Sequence, residues 1–279
     1  MLRLLNIEFQ KLRYNKAAKV LTITYFVLIT AIALIASYEF SFGGVNFRLA
    51  DQGIFNFPYI WHFNAYIAAW LKLFLAIVIV SIMANEYTNR TLKQNLIDGL
   101  SKKEFLASKF LTVVVFSLIS TVFLFIVSLI LGLIFSDYNE FSIVFSGIEF
   151  IFAYFLKLVG FFSFCMFLGI LIKRSAFALG FLIFWQIIEG LVRLLSSLFK
   201  WKFDSDIIDK IIPFLPLESM SNLVNEPFTR LNFVQSAANQ LGENFKSDYA
   251  VHWYEILIVL VWTAIFINLS YRLLKKRDL

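Results

Sequence analysis

ANEYTNRTLKQNLIDGLSKKEFLASKF, residues 84–110, is the only long polar run that lies between two strongly apolar helices and is itself built to be helical. Leu92 and Leu96 stand at i, i+4 with Ile97 beside them. A short helix from about Thr88 therefore buries one stripe and presents Arg90, Lys93 and Gln94 on the other side. Gly99 ends it, because a residue without Cβ takes the left-handed conformation after a helix at little cost. Ser101 and Glu104 follow at the S-x-x-E spacing of a capping box, so a second helix is expected from about Lys102. Helix, break and helix, in a loop too polar to enter lipid, make a firm knob suited to being pushed by a soluble partner.

The runs on either side fix the class. With 60% hydrophobic residues, 16% charged and a mean hydropathy of +0.77, the chain is far more apolar than a soluble domain, of which about a quarter is charged. Windows of about 18 or more apolar residues recur, each long enough to cross roughly 30 Å of hydrocarbon as helix. The fold expected is an all-α membrane protein with six transmembrane helices, one transmembrane domain over 1–279. Residues 1–18 carry Leu2, Leu5, Phe9 and Leu12 at helical spacing among Arg3, Lys11, Arg13 and Lys16, which predicts a basic amphipathic helix on an anionic leaflet. The first apolar run is too long for a signal peptide and is read as a retained span. The spans are expected at about 19–38, 64–84, 110–135, 146–172, 176–195 and 254–274, with an aromatic rim of Tyr59 and Trp61 before the second. Ile172 and Ala176 are so close that spans four and five form an antiparallel hairpin. Residues 196–251, with Pro213, Pro216 and Pro227, are too irregular for a span and predict short interfacial or re-entrant helices.

Lys and Arg set the orientation. The amino end, the 84–109 loop, the pair Lys173 and Arg174, and the carboxyl end hold sixteen of the 25. In the long outer segment acids outnumber bases. Both termini and the 84–109 loop are therefore expected in the cytoplasm, with the chain in the cytoplasmic (inner) membrane. This distribution accounts for the pI near 9.3 as a topology signal, and no nucleic-acid partner is expected.

No P-loop occurs, so ATP phosphates are not cradled here by that route. Cys165 lies alone within a span and reads as a packing thiol. His62 and His252, beside Trp61 and Trp253, read as amphipathic anchors at the outer interface rather than metal ligands. Neither a catalytic triad nor H-E-x-x-H is present.

The ionisable residues within spans are few, because a charge in hydrocarbon costs on the order of several kcal/mol unless paired or wetted. Counted from the cytoplasmic edge at about 1.5 Å per residue, Lys72, Lys157 and Glu189 fall at one level in the outer half. Two readings stand. Lys157 and Glu189 form an ion pair that fixes the hairpin while Lys72 snorkels outward, or the three form a polar belt along a substrate path. Glu189 is also spaced to pair with Arg193 at i, i+4. Thirty-four phenylalanines, thick in spans four and five, face lipid, pack between helices or line a route for a lipid-like cargo.

The succession Glu86, Arg90, Thr91, Lys93, Leu96, Ser101, Lys102 or Lys103, Phe105 and Lys109, leading straight into span three, resembles the permease subunits of type-two ATP-binding-cassette exporters. The likeness extends to the amino-terminal helix, the six spans, the tight four-five hairpin and the long outer segment. It implies a permease that pairs with a second copy or a related chain and with two ATPase subunits. ATP and Mg would sit on those partners, no cofactor or catalytic residue on this chain. The 84–109 loop would be the coupling helix, with Glu86, Arg90, Thr91, Leu92, Lys93, Leu96, Ser101 and Lys103 as coupling residues. The cargo would be an amphiphilic, peptide or lipid-like molecule. A non-transporting membrane scaffold that recruits a soluble partner through the same loop is the competing class, and a lipid-modifying enzyme is third.

Overall fold

The computed structural model describes residues 2–42, 45–47, 49–203, 207–231, 234–236 and 248–277. Asp204 and Asp206 of the outer segment, and the loop glycines Gly43 and Gly44, lie outside the described residues. The described α-helices that build the bundle and its connections are α1 (Leu2–Tyr14), α2 (Lys16–Ser37), α3 (Tyr59–Thr88), α4 (Thr91–Ile97), α5 (Lys102–Phe135), α6 (Phe141–Val144), α7 (Glu149–Ile172), α8 (Ser175–Phe203), α9 (Ile207–Ile211), α10 (Pro216–Asn222) and α11 (Trp253–Lys276). One antiparallel hairpin, Phe40–Phe42 with Val45–Phe47, follows α2. Among the described residues six helices are long and apolar enough to cross a membrane, the architecture of a multi-pass membrane protein.

Local signals set the ends of these helices. The Asn15 side chain accepts from the Ala18 N–H at 3.2 Å and starts α2, so the amino-terminal helix is separate from the first span. Gly99 has φ +95°, the Leu100 N–H donates to Asn95 at 3.0 Å and the Gly99 N–H to Leu96 at 3.2 Å. Together these close α4 with a Schellman motif. The capping box at Ser101 and Glu104 then opens α5. That helix starts at Lys102, as expected, and runs on without a break through the third span. Its 34 residues rise about 51 Å, so its first turns stand outside roughly 30 Å of hydrocarbon and carry the loop with them.

The fourth span is the axis of the bundle: 78% of its most apolar stretch is buried, against 17% for the first and fifth spans. α3, α5, α8 and α11 pack around α7. Phe161, Phe162 and Phe164 of α7 are therefore interior, while Phe177 and Phe184 of α8 face outward. A hydrogen-bonded knot joins three spans, with Tyr25 meeting Ser120 at 2.6 Å and Tyr154 closing the group. Trp61 and His62 are not rim residues. The Trp61 indole donates to the Val144 carbonyl at 2.8 Å and stacks on Phe125, and His62 stacks on Phe150 beside the Asn225 carbonyl. The segment 141–148 folds back over the end of α3, which the local aromatic pattern did not reveal. The outer segment does form short helices, α9 and α10, as its prolines suggest.

Small residues let the backbones approach. A Cβ placed on Gly169 would stand 2.6 Å from the Met83 Cβ where α7 crosses α3, whereas one on Gly180 meets nothing within 4 Å. Gly169→Leu is expected to destabilise the bundle by at least about 1–3 kcal/mol through overpacking, and Gly180→Leu to be tolerated. Thermal midpoints of the detergent-extracted protein check both.

Candidate functional site

Two regions gather the charged residues that a membrane protein must account for. The first is the end of the bundle that bears α4. Lys109, with its side chain 1% exposed, donates to Glu8 at 2.5 Å and pairs with Glu86. Lys11 reaches Glu86 at 2.8 Å and Glu8 at 3.1 Å, and the Thr91 hydroxyl donates to Glu86 at 2.5 Å. Two carboxylates and two ammonium groups from α1, α3 and α5 thus form one closed network, and Thr91 fastens α4 to it. Burial alone would lower the Lys11 ammonium, but its hydrogen bond to Glu86 and the charges of Glu8 and Glu86 win, and its pKa is raised. Glu8 sits in the apolar stripe of α1, at i+3 from Leu5 and i−4 from Leu12. A carboxylate on that face was the signal for the network, and the sequence reading missed it.

The expected coupling residues divide in two. Glu86, Thr91 and Leu92 turn inward, Leu92 being 1% exposed, and Leu96 packs partly buried against the core. The Leu92 and Leu96 stripe therefore binds the protein's own bundle and is not the surface a partner would meet. Arg90, Lys93, Gln94, Ser101 and Lys103 face out, joined by Ile97, which is 71% exposed. Arg90 itself adopts φ 56°, the left-handed kink between α3 and α4. From the carboxyl end, Arg277 donates to the Leu171 carbonyl at 3.0 Å and to Tyr87 at 3.4 Å, and Lys102 donates to the Arg277 carbonyl at 2.8 Å. Both chain ends thus brace the α3–α4–α5 turn.

The second region lies at the level of Lys72, Lys157 and Glu189, and here the expected ion pairs do not form. Glu189 accepts the Leu217 and Glu218 N–H groups at 3.1 and 2.8 Å and the Trp185 indole at 2.6 Å. Lys157 donates to the Ser221 and Val224 carbonyls at 3.2 and 3.4 Å. The carboxylate thus satisfies the free N–H groups at the start of α10 and the ammonium satisfies carbonyls at its end, the polarity that a helix presents. Arg193 pairs with Glu218, not with Glu189. The Lys72 ammonium lies 4.6 Å from the Phe161 ring centroid. These side chains line one cavity of about 500 Å³ between α3, α7, α8 and α10.

Removing the Lys109 ammonium leaves two buried carboxylates with only the half-exposed Lys11 to balance them, so Lys109→Met is expected to cost about 3–5 kcal/mol. Stability measured across pH should show the Lys11 contribution complete below 10.5 and lost only as the pH rises through its raised value. At the other region, Lys157→Met and Glu189→Gln each loosen α10. Because the two side chains hold opposite ends of one helix and not each other, the double variant is expected to be no more stable than the weaker single one. A return to the wild-type thermal midpoint would instead indicate a direct pair.

No curated protein matches this chain. Over residues 26–279, which take in every element described except α1 and the first turns of α2, the chain belongs to the family described as protein of unknown function, DUF2705.

Proposed function

We propose that this chain is the membrane-spanning permease subunit of an ATP-driven exporter, and that a separate P-loop ATPase docks on the outward face of α4. The observation that carries the reading is mechanical. A seven-residue helix, stopped by a Schellman motif and followed by a capping box, is fastened through Thr91 and Glu86 to the ends of two spans and to α1. A push on Arg90, Lys93, Gln94 and Ile97 is then delivered to α3 and α5 together, since their charges cannot part in a low-dielectric interior without large cost. In this reading the α4 end is cytoplasmic, as the clustering of Lys and Arg supports, α1 lies along the inner leaflet, and the complex holds two permease chains. The ATPase supplies ATP and Mg.

The test is affinity isolation of the tagged chain from its native membrane, followed by identification and assay of retained P-loop proteins. The wild-type chain is expected to hold an ATPase whose hydrolysis rate changes in the complex. Ile97→Asp, which puts a charge at the exposed centre of the contact, should lower retention about tenfold or more while the bundle stays monodisperse. Leu96→Asp is the poorer variant, because Leu96 packs on the core. A wild-type chain that retains no P-loop protein would favour the scaffold reading, and undiminished retention by Ile97→Asp would remove α4 as the docking face.

A further inference from the structure

The cavity between α3, α7, α8 and α10 has an uneven charge balance. Lys72, Lys157 and Arg193 face Glu189 and Glu218 around it, three cations against two carboxylates. Four of the five are already engaged: Lys157 and Glu189 with the ends of α10, Arg193 with Glu218. The excess resides at Lys72. Among the described residues it has no carboxylate within ion-pair distance and rests on the face of Phe161. Beside it the buried wall is apolar, Ala69 and Phe161, with Tyr66 and Gln186 completing the lining, and the exposed lining residues include Trp70, at 69%, Leu73 and Gly190, where a Cβ would meet only open space. A lone ammonium in a space of about 500 Å³ that opens through an aromatic and a glycine on the bundle surface asks for two things at once. It needs an anion, and the walls need hydrocarbon.

We propose that this cavity binds an amphiphile with a single anionic head group, the head against Lys72 and the chain leaving past Trp70 and Gly190. Lys157 and Glu189 take no direct part; they hold α10, whose Leu217, Glu218 and Ser221 form one side of the cavity. Cation–π contact with Phe161 keeps the Lys72 ammonium in place while the site is empty, and a phosphate or carboxylate displaces it with a stronger, charge-assisted hydrogen bond. The assignment rests on the permease reading for its purpose, as the class of cargo, but not for its chemistry.

The probe is decyl phosphate, titrated calorimetrically into the purified full chain in a neutral maltoside detergent below the probe's own micelle concentration. Decylphosphocholine serves as the zwitterionic control and inorganic phosphate as the head group without a chain. Saturable binding of decyl phosphate is expected, weakened about tenfold or more by Lys72→Met and largely kept by Lys72→Arg, as the loss of one charge-assisted hydrogen bond requires. Gly190→Leu, which obstructs the mouth without altering any charge, should weaken it as well. Equal affinity for decylphosphocholine, indifference to Lys72→Met in protein that remains monodisperse, or equal competition by inorganic phosphate would each overturn the proposal, the last by showing a site for a free anion. No ATPase is present in the titration, so a failure here leaves the docking of α4 standing, and a failure of that docking leaves the binding standing.

Discussion

Glu8, Lys11, Glu86 and Lys109 form the contact on which the rest of the structure depends. Ionised groups withdrawn from water attract one another strongly only when their geometry is closed, and a buried charge left without a partner is far more costly than a lost apolar contact. Each member of the network therefore requires the others. The amino-terminal helix, the end of the second span and the beginning of the third take their relative positions from that requirement, and α4 takes its own through Thr91. A short polar helix that would be marginal alone becomes a fixed projection of the bundle.

The opposite region solves a similar problem in a different way. α10 is seven residues long and lies among apolar helices, where its unsatisfied N–H and carbonyl groups have little water to turn to. Glu189 and Lys157 meet those groups from two different spans, so the short helix is held from both ends and roofs the cavity beneath it. The polar side chains of the membrane region are thus mostly committed to backbone or to each other, as are Tyr25, Ser120 and Tyr154. Against that background the ammonium of Lys72 stands apart.

The central position of α7 follows from its composition. Apart from Lys157 and a few hydroxyl side chains it is apolar on every side, with aromatic residues toward α3, α8 and α11 and two glycines at close approaches, Gly160 toward α11 and Gly169 toward α3. A helix of that kind has no preferred wet side and is stable at the axis. The first and fifth spans bury much less of themselves and offer their remaining apolar surface to lipid.

The sequence by itself determined what is local. Six apolar runs of spanning length, the Gly99 stop, the Ser101 and Glu104 capping box, the tight turn at Lys173 and the short helices around the outer prolines were all legible, because caps, periodicity and hydropathy act over a few residues. It also placed Lys72, Lys157 and Glu189 at one depth, since helical rise is constant. It did not decide which charge meets which. Lys109 finds Glu8 across 101 positions and Glu189 finds the start of α10 across 28. Such meetings depend on the rotation of each helix about its axis, which only the packing of all six together fixes. The same rotation turned Leu92 inward and left Ile97 outside, and it buried Trp61 beneath Val144, 83 positions on, and His62 against Phe150 and the Asn225 carbonyl.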